Sequence, residues 1–229
     1  MIGKKEEGRL FDTWPDRYDR WFTTPIGALV KKFERELLLD LLTPCCGEII
    51  LDAGCGTGVF TLDILSSGPH LIGLDISLPM LRRSGDKARG YPFQMVLGDI
   101  SNLPFPENSF DKVVSVTAFE FIEDAKGALG ELFRVTKKQG YIVVATLNSL
   151  SPWASQRRAE AKKRSTIFEK AIFRSPDELR SIAPVDGVIR TAIHFQKEDD
   201  PQVAAEMELE GGEKGLETGA FLAARWEKP

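Results

Sequence analysis

The sequence is poor in the residues that build disulfide frameworks and zinc sites. Its 229 residues include three cysteines and two histidines. Cys45 and Cys46 are adjacent and Cys55 stands apart, an odd set that argues against a disulfide framework. His70 and His194 are isolated, whereas zinc usually takes four ligands from paired Cys or His motifs. We therefore expect free thiols in a reducing compartment and no bound metal.

Long hydrophobic runs and a strong charge of one sign are also missing. The longest apolar stretches, such as residues 141–147, are far too short to span a bilayer. Residues 1–7 lack the apolar core of a signal peptide. The net charge of −4 gives no reason to expect nucleic acid or an anionic membrane as a partner. We expect a cytoplasmic protein without membrane insertion, whose oligomeric state the sequence leaves open.

The chain does contain a regular alternation of strand and helix patterns. With 42% hydrophobic and 28% charged residues, it suits one sizeable α/β domain built on a mostly parallel, doubly wound sheet. The predicted strands cover residues 48–51, 71–74, 93–97, 111–117, 141–147, 188–195 and 221–226. The predicted helices cover residues 26–42, 58–66, 78–84, 124–135, 152–172 and 176–183. An acidic, glycine-rich link over 197–219 shows no obvious crossover helix, so the last two strands are predicted to end the sheet antiparallel.

A glycine-rich turn, ILDAGCGTG at residues 50–58, follows the first predicted strand. Ligands of open α/β sheets bind outside the carboxyl ends of the strands, and glycine lets a ligand approach the main chain. A P-loop would need Lys and then Ser or Thr after its last glycine, but Val59 follows Gly58. A dinucleotide fingerprint would need its third Gly or Ala at that same position. The G-x-G-x-G spacing leaves a different nucleotide-like ligand, or a purely structural turn.

Three aspartates end three successive predicted strands beside this turn. Asp52 precedes the glycines, where an ionised carboxylate would repel a pyrophosphate and attract a cationic group. Asp75 is placed to accept from both hydroxyls of a ribose, and Asp99 suits an exocyclic amine such as that of adenine. Aspartates at strand ends also act as ordinary turn and capping residues, but three in succession favour a ligand. Adenine, ribose and a cationic group without phosphate describe S-adenosyl-L-methionine, which would leave as S-adenosyl-L-homocysteine.

These residues resemble the motifs of class I S-adenosylmethionine-dependent methyltransferases. ILDAGCGTG is similar to their first motif, LIGLDIS to the acidic segment after the second strand, and VLGDISNLPFPENSFDKVVSV to the third-strand and fourth-strand region. ELFRVTKKQGYIVVAT resembles the helix and fifth strand that follow, so the resemblance covers about residues 47–147. Within the class, the chain looks most like the small-molecule branch that includes quinone-biosynthesis methyltransferases.

The resemblance implies a Rossmann-like sheet of seven strands in the order 3-2-1-4-5-7-6, with strand 7 antiparallel. It implies cofactor contacts for ten residues: Tyr18, Asp52, Gly54, Gly56, Asp75, Ile76, Met80, Asp99, Ile100 and Thr117. Ile76, Met80 and Ile100 would sandwich the adenine ring, although ordinary core packing would also explain them. Tyr18 belongs to an aromatic N-terminal segment that would fold over the cofactor or act as a packed arm.

The resemblance names no catalytic residue. Many relatives carry Glu-His after the fourth strand, whereas this chain has Glu120 between two phenylalanines, so a histidine base is absent. Glu120 itself is a candidate polar contact or a helix-start residue. The sulfonium is already an activated methyl donor, and holding a small-molecule acceptor in line can supply about 7–11 kcal/mol of the barrier.

The single domain is predicted to contain four segments. Residues 1–42 form an N-terminal cap or lid and the first helix, 43–147 the cofactor-binding core, 148–187 the acceptor-lid helices and 188–229 the closing strands. The basic run at 157–164 in the acceptor lid would attract an acidic acceptor or form a solvated helix face.

Other functions share parts of this pattern. A nucleic-acid methyltransferase acting on base amines would use an Asn/Asp-Pro-Pro-aromatic turn after the fourth strand, where this chain has Val-Thr-Ala-Phe at 116–119. A nicotinamide dehydrogenase is opposed by the missing third glycine and by Asp52. A non-catalytic module that binds S-adenosylmethionine would show the same motifs.

Overall fold

The structure is a computed structural model that describes residues 10–163 and 166–229. Residues 1–9 of the predicted N-terminal lid, and Arg164 of the basic run, lie outside the described residues. The strands are β1 Ile49–Ala53, β2 His70–Asp75, β3 Phe93–Leu97, β4 Phe110–Val116, β5 Thr136–Leu147, β6 Val188–Ala192 and β7 Phe221–Glu227. The helices are α1 Pro15–Trp21, α2 Pro25–Leu42, α3 Thr61–Leu65, α4 Leu78–Lys87, α5 Ala125–Val135, α6 Pro152–Lys163, α7 Pro176–Ile182 and α8 Pro201–Glu213. Short 3-10 turns cover Phe119–Phe121 and Ile167–Glu169.

The seven strands form one sheet in the order β3-β2-β1-β4-β5-β7-β6. Strands β1 to β5 pair in parallel, and β7 is antiparallel to both β5 and β6. Strands β1 and β4 are buried along most of their length, as expected for central strands that helices cover on both faces. The predicted α/β fold, its strand order and the direction of the seventh strand are confirmed.

Helices on the two faces of the sheet enclose two apolar cores. On one face, α2, α3 and α8 contribute Leu38, Ile64 and Ala204. On the other face, α5 and α7 contribute Leu129 and Leu179. Because the helices fill the faces, the loops after the carboxyl ends of β1 to β4 are the part of the sheet at which a ligand site can form.

Capping side chains set the start of several helices. Thr24, Ser77 and Asp124 each accept a backbone amide hydrogen bond from the first turn of α2, α4 and α5. Pro25 occupies the first position of α2, where its fixed φ suits a helix and its missing N–H costs nothing. α2 and α5 therefore match the predicted helices closely, and Ser77 caps α4 directly before its predicted start. α3 begins only at Thr61, because the residues before it belong to the glycine-rich turn.

The prediction of one helix over 152–172 is wrong in its second half. α6 ends at Lys163, and the backbone is extended at Thr166 before the second 3-10 turn. The rings of Phe168 and Phe173 stack with centroids 6.4 Å apart and join a small cluster with Ala154. Burying these rings stabilises the chain more than continuing a helix whose charged end offers no apolar stripe.

The prediction of an irregular link over 197–219 is also wrong, because α8 lies within it. Asp200 caps this helix and Pro201 begins it, so a start signal was present in the sequence. Its buried face consists of Ala204, Glu208 and Gly211, which gives no apolar periodicity. A Cβ at Gly211 would lie 2.3 Å from Cγ of His194, so glycine is needed for this close approach.

Two strand boundaries differ from the prediction for local reasons. β6 ends at Ala192 because Ile193 takes a φ of +69°, a left-handed conformation that interrupts the strand. β5 begins at Thr136 rather than Tyr141, and its pairing with β4 shifts register between Phe110 and Lys112. Among the helices of residues 10–163 and 166–229, each is too short or too polar to cross a membrane.

Candidate functional site

A cavity of about 950 Å³ lies beside the carboxyl ends of β1 to β4, a size typical of small-molecule sites. All ten residues predicted to contact a cofactor line it: Tyr18, Asp52, Gly54, Gly56, Asp75, Ile76, Met80, Asp99, Ile100 and Thr117. They come from α1, from the ends of β1 and β2, from the loops that follow β1 to β4, and from α4. The parallel strands thus bring residues that are distant in sequence to one place.

The glycine-rich turn is held against the end of β2. The Gly54 amide donates to the Leu74 carbonyl at 2.7 Å, and the Gly56 amide donates to Oδ2 of Asp75 at 2.8 Å. Gly54 has a φ of +81°, and a Cβ there would lie 2.5 Å from Cβ of Ala118. A larger residue at position 54 would therefore clash with the loop after β4, and glycine lets bare backbone line the cavity.

Asp75 is a preformed acceptor at the end of β2. Its second oxygen accepts from the Ser77 amide at 2.8 Å, so each carboxylate oxygen is oriented by one backbone donor. Burial raises the pKa of Asp75, and the hydrogen bonds from the Ser77 and Gly56 amides act in the opposite direction. Each oxygen keeps a further lone pair that can accept from a ligand in the cavity.

Asp52 is more deeply buried and has a single hydroxyl donor. The Thr61 hydroxyl donates to Oδ2 of Asp52 at 2.6 Å, and the residue as a whole is 3% exposed. Burial raises the pKa of Asp52 to about 7; the Thr61 hydrogen bond opposes the shift and the charge of Asp75 adds to it. A cation beside Asp52 would favour its ionised form, so its charge depends on what occupies the cavity.

The wall after β3 combines one carboxylate with apolar side chains. Asp99 accepts from the Ser101 amide at 2.8 Å and lines the cavity. Met80 and Ile100 are buried and Ile76 is half-buried, and all three present apolar surface to the same space. An aromatic heterocycle with an amino group could therefore donate a hydrogen bond to Asp99 and pack its ring against the apolar side chains.

Helix α1 forms a side of the cavity and is tied to α4 by charged contacts. Asp19 accepts from Nζ of Lys87 at 2.5 Å and from the Thr57 hydroxyl at 2.6 Å, and pairs with Nε of Arg83 at 3.2 Å. Arg83 also pairs with Asp16 of α1. Thr57 belongs to the glycine-rich turn, so α1 is joined both to that turn and to the helix after β2.

Tyr18 links α1 to the loop after β4. Its hydroxyl lies 3.4 Å from Oγ1 of Thr117, and its ring meets that of Phe22 edge to face. Burial raises the pKa of Tyr18, so it stays a neutral phenol near neutral pH. Thr117 has a φ of +49°, an uncommon conformation for a β-branched residue and typical of constrained functional loops.

Two buried carboxylates outside the predicted set also line the cavity. Glu120, in the 3-10 turn after β4, accepts from the Thr146 hydroxyl at 3.0 Å. Glu34 comes from α2, where it interrupts the apolar face between Val30 and Leu38. Burial raises the pKa of Glu120 to about 7 and that of Glu34 to about 8. A charged residue on an apolar helix face was the one sequence signal for Glu34.

Arg157 of α6 lines the cavity near these carboxylates. Its guanidinium lies over the rings of Trp153 and Phe168, with centroids 5.1 and 5.0 Å away. Burial lowers the pKa of Arg157, and the charges of Glu34 and Glu120 oppose the shift. Part of the basic run predicted at 157–164 is thus directed into the cavity, which the sequence left open.

Arg174 holds the turn that carries Glu120. Its two terminal nitrogens donate to the carbonyls of Phe119 and Ile122, both at 2.6 Å, and the Ile172 amide donates to the Glu120 carbonyl at 2.7 Å. These bonds fix the position of Glu120 from a segment far along the chain. No local sequence pattern marks Arg174 for this task.

The groups along the cavity are compatible with S-adenosylmethionine. Separate carboxylates suit an ammonium, a ribose and an adenine amine, and the bare turn at Gly54 leaves room for a ligand against the backbone. Within the part of the chain that the structure describes, no three His, Cys, Asp or Glu side chains gather as metal ligands.

Comparisons with known proteins point to one family. Residues 51–144 match the family described as "Methyltransferase domain". The demethylmenaquinone methyltransferase of Beutenbergia cavernae is 34% identical over 146 residues, which are 63% of this chain and 59% of that protein. The malonyl-[acyl-carrier protein] O-methyltransferase of Pectobacterium atrosepticum is 35% identical over 154 residues, which are 66% of this chain and 58% of that protein. The chain thus spans less than two thirds of the length of these relatives.

A solved structure extends the likeness to the whole fold. The Thermotoga maritima protein described as an S-adenosylmethionine-dependent methyltransferase, possible histamine N-methyltransferase, aligns with a TM-score of 0.74. The alignment covers 96% of this chain and 99% of that chain, at 22% sequence identity. Residues 51–144 thus match a methyltransferase domain, and the chain resembles the class I S-adenosylmethionine-dependent methyltransferases in its motifs and in its fold.

Proposed function

We propose that this protein is an S-adenosylmethionine-dependent methyltransferase that transfers a methyl group directly to a small-molecule acceptor. One observation supports this most strongly. The bare glycine turn and the three strand-end aspartates, Asp52, Asp75 and Asp99, line one cavity at the carboxyl edge of the sheet. The relatives' names support the reaction type, and their different acceptors leave the acceptor of this chain to be found.

Each lining residue has a definite task in this proposal. Asp75 accepts from the ribose hydroxyls, Asp99 accepts from the adenine amine, and Asp52 pairs with the ammonium of the methionyl part. Ile76, Met80 and Ile100 hold the adenine ring, Gly54 and Gly56 admit the ligand to the backbone, and Tyr18 and Thr117 border the reacting end. The bound S-adenosylmethionine supplies an activated methyl group on a sulfonium.

The chain's own contribution to the rate is then mainly positioning. A cavity that holds the acceptor nucleophile in line with the methyl group can lower the barrier by about 7–11 kcal/mol through orientation alone. The segments at 1–42 and 148–187 serve as cofactor lid and acceptor lid in this proposal, the core at 43–147 binds the cofactor, and 188–229 closes the sheet. The proposal includes no metal, no nucleic-acid partner and a cytoplasmic location, each carried over from the sequence as a prediction.

Turnover tests this proposal against a module that only binds the cofactor. Purified protein is incubated with S-adenosylmethionine labelled in its methyl group and a metabolite extract, and mass spectrometry follows the label. We expect S-adenosylhomocysteine to accumulate and the label to appear in a small molecule, and we expect neither after heat inactivation. Retention of intact S-adenosylmethionine with no transfer in any extract would favour the non-catalytic module.

A further inference from the structure

Two buried carboxylates in the cavity bear on the chemical class of the acceptor. Glu34 and Glu120 are 8% and 1% exposed. Glu34 lies on α2 and Glu120 on the 3-10 turn after β4, so they are distant in sequence. Glu120 has Thr146 as a donor, whereas Glu34 makes no side-chain hydrogen bond or salt bridge within residues 10–163 and 166–229. Burying a carboxylate without a hydrogen-bond donor costs free energy. Because Glu34 lines the cavity, a ligand bound there could supply the missing donor.

Among the described residues, Glu34 shares its interacting cation, Arg157, with Glu120 and Glu160. Arg157 on α6, Glu120 on the 3-10 turn and Tyr18 on α1 are the titratable groups that interact with it electrostatically. Arg157 interacts with both carboxylates, and its guanidinium also lies over two aromatic rings. Arg174 interacts with Glu120, but its terminal nitrogens donate to the Phe119 and Ile122 carbonyls. Arg17, Arg20, Lys170 and Lys197 also line the cavity, and two of them, Arg17 and Lys197, lie over the rings of Trp14 and Trp21.

From this arrangement we propose that the methyl acceptor is an amine, bound as its ammonium by Glu34 and Glu120, with Glu34 as the group that takes its proton. This inference rests on the proposed methyltransferase function and assigns the acceptor class of that same site. Glu34 is then a catalytic residue, since its carboxylate touches the reacting nitrogen. Glu120, fixed by Thr146 and by the turn that Arg174 holds, orients the ammonium.

The proton and electron movements balance. An ammonium has no lone pair, so one N–H proton first passes to the Glu34 carboxylate and leaves a neutral amine. The freed lone pair forms the new N–C bond while the methyl C–S bond breaks, and the electrons of that bond remain on sulfur. The products are an N-methylammonium, the neutral thioether and a protonated Glu34, which later loses its proton to water.

The state of Glu34 before binding gives this inference a pH signature. Burial holds the pKa of Glu34 at about 8, so at pH 6 the carboxyl group is protonated in the empty cavity. A bound ammonium stabilises the ionised form, so binding releases a proton and strengthens as the pH rises from 6 to 8. An alkylammonium keeps its own proton over this range, because its pKa lies near that of lysine, about 10.4.

A matched pair of probes tests the inference on the intact protein. Phenethylamine and 2-phenylethanol share shape and differ in having an ammonium or a hydroxyl group. Each is titrated calorimetrically into protein saturated with S-adenosylhomocysteine, at pH 6 and pH 8. We expect phenethylamine to bind at least about tenfold more tightly than the alcohol at pH 8, since hydrogen bonds to charged groups are the stronger ones. We also expect its affinity to increase with pH and labelled methyl to reach its nitrogen.

Glu34→Gln and Glu36→Gln are the paired variants. Glu36 is exposed on the same helix, so the same change there should leave the amine preference and its pH dependence intact. Glu34→Gln should lose both while binding S-adenosylhomocysteine as the wild type does. Equal binding of the two probes, no binding of either, or a preference that survives in Glu34→Gln would overturn the inference. Failure to bind S-adenosylhomocysteine in the first titration would instead count against the proposed function.

Discussion

The aspartates of the cavity differ in the hydrogen-bond donors that stabilise their carboxylates. Asp75 receives one backbone amide on each oxygen, so its geometry is fixed before any ligand arrives. Asp52 has one hydroxyl donor and a pKa near 7, so its charge adapts to the ligand. Replacing the two aspartates should therefore affect ligand binding differently: replacing Asp75 should lower the affinity, and replacing Asp52 should change its pH dependence.

Replacing Asp75 tests the ribose contact. Asp75→Ala would remove the charged acceptor proposed for the two ribose hydroxyls, and hydrogen bonds to charged groups contribute about 1.5–3 kcal/mol each. We expect affinity for S-adenosylhomocysteine to fall at least tenfold by calorimetry, and Asp75→Asn to recover part of it. Asp86→Ala, an exposed change on α4, is the control. Wild-type affinity in a folded Asp75→Ala protein would show that the ribose lies elsewhere.

Replacing Asp52 tests the ammonium contact through pH. The protonated acid cannot pair with a cation, and the pKa of Asp52 is about 7 in the empty cavity. Affinity for S-adenosylhomocysteine should therefore increase between pH 6 and pH 7.5 in the wild type. Asp52→Asn should bind more weakly at pH 7.5 and approach the wild type at pH 6. Parallel pH profiles for the two proteins would remove Asp52 from this role.

The site residues that the sequence predicts lie within local motifs, whereas those that it does not predict lie outside them. Asp52, Asp75 and Asp99 sit at strand ends within local motifs, so the chain around each one revealed it. Glu34 and Arg174 lie far from those motifs and reach the site only through the packing of α2 and of the segment before α7. Their positions depend on tertiary contacts that no local spacing encodes.

Among the elements, α1 has the contacts expected of a cofactor lid. It has no fully buried residue and is held by ion pairs to α4, by the Tyr18–Thr117 contact and by the packing of Tyr18 and Trp21 against the core. Half-exposed ion pairs stabilise weakly, by about 0–1 kcal/mol each. Such an element opens readily and gains order when a ligand adds to its contacts.

Ligand binding should therefore slow hydrogen exchange in α1. We expect marked protection of amides at residues 18–22 when S-adenosylhomocysteine is added, measured by mass spectrometry, with little change in α8, which packs against α2 and β6. Tyr18→Ala should weaken S-adenosylmethionine binding by about 0.5–2 kcal/mol, the contribution of one aromatic ring near a cation. The loss should be smaller for the neutral homocysteine product, and Tyr18→Phe should retain most of the affinity.

The alternative for α1 is a permanently packed arm. In that case its exchange would be the same with and without ligand, and Tyr18→Ala would bind both ligands as the wild type does. This pair of measurements separates the two interpretations that the aromatic N-terminal segment leaves open.

The elements predicted correctly and those predicted wrongly differ in how strongly the local sequence determines their structure. The strands and helices of 47–147 combine apolar periodicity with caps and turns, and most observed boundaries lie near their predictions, the starts of α3 and β5 excepted. The errors at 152–172 and 197–219 arose where charged helices bury small residues, or where aromatic rings fold back on a neighbour. In such segments tertiary packing, rather than local propensity, decides the structure.

In the whole molecule, the strand order accounts for the place of the site. The chain crosses from β3 to β4 over the central strands β2 and β1, so the loops after β1 and β4 diverge and leave a crevice between them. The glycine turn, the strand-end aspartates and Thr117 meet at that crevice. The sequence predicted this arrangement because motif order and parallel topology together determine which loops are neighbours.

The central claim is that this crevice is built for S-adenosylmethionine rather than for a dinucleotide, and a direct comparison of ligands tests it. S-adenosylhomocysteine and NAD are titrated separately into the same purified protein by calorimetry at pH 7.5. We expect S-adenosylhomocysteine to bind with a micromolar or lower dissociation constant, because an ionised Asp52 would attract an ammonium and repel a pyrophosphate. NAD should show no comparable binding. NAD binding as tightly as S-adenosylhomocysteine, or more tightly, would contradict the account.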